Sequence, residues 1–97
     1  MVKAKNNWFL YLIEAQDSSL YCGITTDVER RFKQHVEGLG AKYFRGRKPL
    51  QVVFQVGGLT RSEASKLEPR IKKLTRKNKL RLVADQPSLD SLVKRLD

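Results

Sequence analysis

Tyr11 and Tyr21 stand ten residues apart, each inside a stretch rich in aromatic and branched side chains. If those stretches are the two strands of a hairpin, alternate residues share a face and the phenols can converge, given a suitable register. Such a pair is ordinarily core packing, with its hydroxyls satisfied at the rim. Arg31 and His35 follow at a spacing of four, which puts them on one helix face beside the stripe of Val28 and Phe32. An arginine there can stabilise charge on a transferring phosphoryl group, and a histidine can relay a proton. The same two residues at the rim of a core are also common structural features. Glu63 and Glu68 are the carboxylates of the basic second half. Each is either a salt-bridge partner for the surrounding lysines and arginines or a single ligand to a hard cation. In the second case water and substrate phosphate complete the shell. Gly23 follows Tyr21 and Cys22, and a glycine inside a strand marks a bulge or a close backbone approach. Cys22 reads as a small core hydrophobe, because nothing nearby in the sequence activates its thiol. No P-loop, zinc pattern or dinucleotide fingerprint competes with these residues.

The elements that must carry them follow from hydrophobic period and turn chemistry. Trp8 to Ala15 reads as a strand, Gln16 to Ser19 as a four-residue turn, and Leu20 to Ile24 as the returning strand. Thr26 and Glu29 have the form of a capping box, and Val28, Phe32 and Val36 predict a helix from about Asp27 to Glu37. Gly38 and Gly40 end it. Ala41 to Lys48 is a basic loop or short helix carrying Tyr43 and Phe44. Leu50, Val52, Phe54 and Val56 alternate with polar residues as a third strand, which Gly57-Gly58 breaks. Thr60 and Glu63 offer a second capping box before a helical face of Ala64, Leu67, Ile71 and Leu74, running to about Lys77. Pro69 inside that face predicts a kink or a break into two short helices. Leu89, Leu92, Val93 and Leu96 mark a last helix opened by Pro87.

Charge narrows the partner. The chain carries a net charge of +10, and the segment from Arg30 to Arg81 holds sixteen basic residues against three acidic ones. A basic zone of this density attracts a polyanion through counterion release without choosing a sequence, and the alternative is a solvated surface kept for solubility. Ninety-seven residues make one domain. No apolar run is long enough to span a bilayer, no signal-peptide pattern stands at the start, and one cysteine fits a reducing compartment. The expected localisation is cytoplasmic, with no membrane partner.

In order, these residues resemble the GIY-YIG nuclease superfamily, and more closely its small single-domain YhbQ-like branch. The likeness covers roughly Trp8 to Lys79. It rests on Leu10-Tyr11-Leu12, Tyr21-Cys22-Gly23, Arg31 with His35, and Glu68 in LEPRIKK, and LYCGITTDVERRFKQH is its most specific stretch. Leu10 stands where the superfamily has glycine and Cys22 where it has isoleucine, departures that the small branch tolerates. The resemblance implies an α/β (α+β) sandwich, with a three-stranded antiparallel sheet flanked by helices. Its element order is β-β-α-(α)-β-α, with an extra C-terminal helix. Residues 1–83 would form the nuclease domain and residues 84–97 an extension packed on it. The implied activity is metal-dependent hydrolysis of DNA phosphodiester bonds with low sequence specificity, in repair or processing. RNA stays open as a substrate. Glu68 would hold one Mg²⁺ or Mn²⁺ ion, and Tyr11 would activate the attacking water. His35 would take on the proton of Tyr11, Tyr21 would orient the water or a phosphate oxygen, and Arg31 would stabilise the developing charge. Lys33, Lys42, Arg45, Arg47, Lys48 and Lys73 would seat the backbone, with Tyr43 or Phe44 stacking on a base. Gly23 would be structural. The competing reading is a nucleic-acid-binding module on the same fold that does not cut, favoured by Pro69 beside the expected metal ligand.

Overall fold

Trp8–Ala15 (β1) and Leu20–Thr25 (β2) pair antiparallel around the turn at residues 16–19, as their composition demands. The structure, a computed structural model, describes residues 5–97; Lys3 and the other residues of the segment 1–4 lie outside it. Pro49–Leu59 (β3) adds to the other side of β1, giving the order β2-β1-β3 with β1 central and β2 at an edge. β1 is the strand buried on both faces, which is why its run Leu10, Tyr11, Leu12, Ile13 is sealed without the polar alternation of a one-sided strand.

Two departures in β3 have one cause. The strand was expected to present Leu50, Val52, Phe54 and Val56 on one face and to stop at Gly57-Gly58. Its register against β1 instead shifts between Leu12 and Ile13, so that Val52 packs on one side of the sheet while Phe54 and Val56 pack on the other. A second shift between Trp8 and Leu10 absorbs an extra residue near Gly58, whose φ is +74°. Bulges of this kind re-aim side chains without ending the ladder, and β3 continues to Leu59.

Helices cover both faces. Val28–Val36 (α1) and a short 3-10 turn at Lys42–Phe44 lie over Tyr11, Ile13 and Ala15. Arg61–Lys72 (α2), Arg76–Asp85 (α3) and Leu89–Leu96 (α4) enclose the larger core of Leu10, Leu12, Phe54 and Val56. Asp27 caps α1 by accepting from the Arg30 amide at 3.0 Å, so the cap falls one residue after the expected Thr26. The Thr60/Glu63 capping box forms at the start of α2.

α2 runs unbroken through Pro69. The proline removes the amide that would bond to Ser65, but Ser65 is exposed and its carbonyl can be solvated. Buried Leu67 and Ile71 anchor the helix on either side. The interruption comes later, after Lys72, where Thr75 caps a new helix by accepting from the Asn78 amide at 3.2 Å. α3 is thus one helix more than the expected order. Leu82 of α3 and Leu92 of α4 are both in the core. Among the described residues, no helix is long and apolar enough to cross a membrane.

Candidate active site

The β1–β2 register decides whether the two tyrosines meet. Tyr11 lies opposite Gly23 and Ile13 opposite Tyr21, so all four occupy the face beneath α1, with the phenols on a diagonal. Their ring centroids are 6.4 Å apart. No bulge occurs at Gly23. The glycine is there because the Tyr11 hydroxyl lies over it: a Cβ at this position would stand 2.4 Å from that oxygen. Gly23→Ala is therefore expected to drive Tyr11 off its seat and to destabilise the fold by about 1–3 kcal/mol. Urea unfolding measures the effect, and an unchanged midpoint would show that Tyr11 is free to move aside.

α1 brings its two polar residues onto the same oxygen. His35 is 1% exposed, and its Nε2 lies 3.0 Å from the Tyr11 hydroxyl. Arg31, one turn earlier, is near enough to donate a hydrogen bond to Tyr11, and Gln34 holds its guanidinium at 2.9 Å. Burial pushes Tyr11 up to about 12, Tyr21 adds to the rise, and the hydrogen bond and charge of Arg31 oppose it. Burial, reinforced by Arg31, lowers His35 to about 4, so the ring is neutral around pH 7. Tyr21 is half-buried among His35, Tyr43 and Phe44, with centroids 5.0–5.4 Å away.

The carboxylate arrives from the other layer. β2 is an edge strand, and α2 packs behind it, so residues of α2 can reach the rim where Tyr21 sits. Glu68 is partly exposed there, and its charge raises Tyr21 and Cys22. Lys72 lies 3.8 Å from Glu68 and 6.0 Å from the Tyr21 ring. Among the described residues, no three His, Cys, Asp or Glu side chains gather as a metal-binding group. A lone carboxylate suits a hard cation that takes most of its shell from water and phosphate oxygens, and does not suit a zinc cage. Cys22 is in the core with its thiol raised to about 12, chiefly by burial, as its small-hydrophobe reading implies.

The expected strand-seating residues spread unevenly. Lys33, Lys42, Arg45, Lys48 and Lys73 are exposed. Arg47 is tied to Asp17 at 2.9 Å and stacks 4.5 Å over the Tyr43 ring. Phe44 is buried, and Tyr43 is half-buried with Arg47 over its ring, so of the two aromatics Tyr43 is the one that reaches the surface. Lys72, beside the expected Lys73, is the lysine that approaches Tyr21. Sequence reasoning missed Lys72, Gln34 and Gly40. Helical spacing of three from Arg31 was the available signal for Gln34, and spacing of four from Glu68 for Lys72. For Gly40, taken only as a helix terminator, there was none.

Residues 7–81 match the model of the GIY-YIG catalytic domain. The chain is similar to the UPF0213 protein YhbQ of Escherichia coli strain K12, at 49% identity over 89 residues, covering 92% of this chain and 89% of the relative. It is 51% identical to a UPF0213 protein of Klebsiella pneumoniae over 89 residues, covering 92% and 84%. A solution NMR structure of a UPF0213 protein from Bacillus halodurans superposes with a TM-score of 0.53 at 38% identity, covering 93% of this chain and 96% of that one. The solution NMR structure of a protein from E. faecalis gives a TM-score of 0.54 at 39% identity, covering 87% of this chain and 86% of that one.

Proposed function

Because the chain belongs to the GIY-YIG catalytic-domain family, and within it to the small YhbQ-like group, we propose that it is a metal-dependent endonuclease that hydrolyses DNA phosphodiester bonds with low sequence specificity. The observation that carries this reading is the convergence of Tyr11, Tyr21, Arg31 and His35 beneath α1, with the charge of Glu68 felt at Tyr21. Arg31 is the group that meets a non-bridging phosphate oxygen and favours charge as it develops there. Tyr11, as phenolate, takes the proton of the attacking water, and Arg31 is the neighbour that stabilises that phenolate. Tyr21 orients the water or a phosphate oxygen from the rim. Glu68 would hold one Mg²⁺ or Mn²⁺ ion, which when bound supplies Lewis-acid stabilisation of phosphate charge. Lys33, Lys42, Arg45, Arg47, Lys48 and Lys73 seat the strand by charge, and Tyr43 stacks on a base. In this reading residues 1–83 are the nuclease domain and residues 84–97 an extension packed on it, and the role is a cytoplasmic one in DNA repair or processing.

One observation favours a binding module that does not cut. Tyr11 is 1% exposed and raised to about 12, features a structural tyrosine shares. A panel of labelled duplex, nicked, branched and single-stranded DNA and RNA separates the two. Cutting that needs Mg²⁺ or Mn²⁺ and is lost in Arg31→Ala, while binding persists, is the expected result. Binding without cutting on every substrate would leave only the module.

A further inference from the structure

His35 is bonded on both sides. Its Nε2 faces the Tyr11 hydroxyl at 3.0 Å, and the Ala41 amide nitrogen lies 3.4 Å from its Nδ1. An amide N–H can only donate, so Nδ1 is the acceptor. A neutral imidazole carries one proton, which must then be on Nε2. The backbone wraps tightly at the Nδ1 side: a Cβ on Gly40 would stand 2.1 Å from that nitrogen. No side chain fits between the ring and the segment leading into the 3-10 turn.

We propose that Gly40 and Ala41 form a backbone clamp that fixes His35 as the Nε2–H tautomer, making it a hydrogen-bond donor to Tyr11 rather than the acceptor of its proton. This revises the role expected for His35 and rests on the nuclease reading of Tyr11. The Tyr11 oxygen then accepts from His35, its own proton turns away from the Nε2–H, and the nearby charge of Arg31 favours the phenolate. When the phenolate forms, its proton leaves to solvent. The phenolate oxygen next takes a proton from the attacking water, the hydroxide lone pair forms the new P–O bond, and the P–O bond to the leaving oxygen breaks, that oxygen keeping the bonding pair and taking a proton from solvent. His35 keeps its proton throughout. His35, Gly40 and Ala41 are positioning residues in this scheme. The charged or titratable groups facing the ring are Arg31 on its own helix, Tyr11 of β1 and Tyr21 of β2. Arg47 and Lys48 line a shared pocket after the 3-10 turn. Burial first, and the charge of Arg31 second, oppose a second ring proton, which agrees with the lowered His35.

The chain has one histidine, so ¹⁵N long-range correlation spectra of the tag-free protein report this ring alone. The expected result is a pyrrole-type Nε2 and a pyridine-type Nδ1 from about pH 5.5 to 8.5, on either side of the ordinary histidine value. Ala41→Pro tests the clamp: Ala41 already has φ −67°, which proline adopts, and the substitution deletes the amide donor and puts the ring Cδ where the amide hydrogen faced Nδ1, so the imidazole loses its partner and must shift. It should mix the two tautomers in a protein whose circular dichroism is unchanged. It should also lower cleavage by roughly ten-fold, the loss of one neutral hydrogen bond. His35→Gln, which keeps a side-chain donor, should retain more cleavage than His35→Glu, which keeps only acceptors. An Nδ1–H tautomer, a charged ring at neutral pH, or an unchanged tautomer in folded Ala41→Pro would overturn the clamp. If Ala41→Pro does not fold, the wild-type spectrum still decides. The spectra need no cleavage, so a protein that shows the Nε2–H ring but cuts nothing would count against the nuclease and leave the clamp standing.

Discussion

Tyr11→Phe is expected to lower cleavage by roughly 10²–10⁴-fold, the range over which a positioned general base acts. The substitution removes one oxygen and keeps the ring. It leaves the basic residues untouched, so binding should persist. The fold should weaken measurably as well, because the hydroxyl is the partner of buried His35 at 3.0 Å. An unmatched buried donor costs about 1–3 kcal/mol. Single-turnover cleavage, with urea unfolding of the same preparation, separates the two effects: at a temperature where both proteins are folded, the rate loss should remain. Cleavage at the wild-type rate would remove Tyr11 from the chemistry and return it to packing.

Glu68→Gln should be at least as severe. If Glu68 is the protein's carboxylate for the metal, its loss withdraws several kcal/mol of charge stabilisation, a rate loss of roughly 10³-fold or more. Binding should move the other way. The substitution removes a negative charge from a chain that carries +10 and releases Lys72 from its 3.8 Å neighbour, so affinity for nucleic acid should hold or rise. Mn²⁺ titration followed by paramagnetic relaxation of water gives the complementary readout, and the variant should lose the relaxation enhancement seen with wild type. Retained Mn²⁺ binding and retained cutting would mean that another group holds the ion.

The hairpin and α1 were legible because local chemistry decides them. Gln16 to Ser19 can only turn, and Val28, Phe32 and Val36 repeat at the helical period. That Tyr11 and Tyr21 can share a hairpin face, and that Arg31 and His35 share a helix face, was legible for the same reason, since short-range geometry sets each pair; that the two faces meet rested on the family resemblance. What the sequence hid depends on the partner strand or the opposite layer. Val52 and Phe54 look alike in an alternating run, and only the bulge against β1 sends them to different sides. Pro69 signals a break, but Leu67 and Ile71 are buried strongly enough to carry α2 through it. The helix at Arg76–Asp85 has one buried residue, Leu82, while Leu80, Val83 and Ala84 crowd beside it instead of recurring along a stripe, so its period is faint. Gly40 resembles any helix-ending glycine until the ring that it borders is in place.

Gly23 has a use outside this molecule. The fold can be built with alanine there, because nothing in the β1–β2 ladder asks for glycine; what cannot be kept is the reach of the Tyr11 hydroxyl to the histidine on the helix above. The residue at this point of the second strand is therefore a diagnostic that can be read from a bare sequence. On the nuclease reading proposed above, a relative that retains both tyrosines and the arginine but carries a side chain opposite the first tyrosine is expected to bind nucleic acid and cut it poorly, which a cleavage assay of that relative checks.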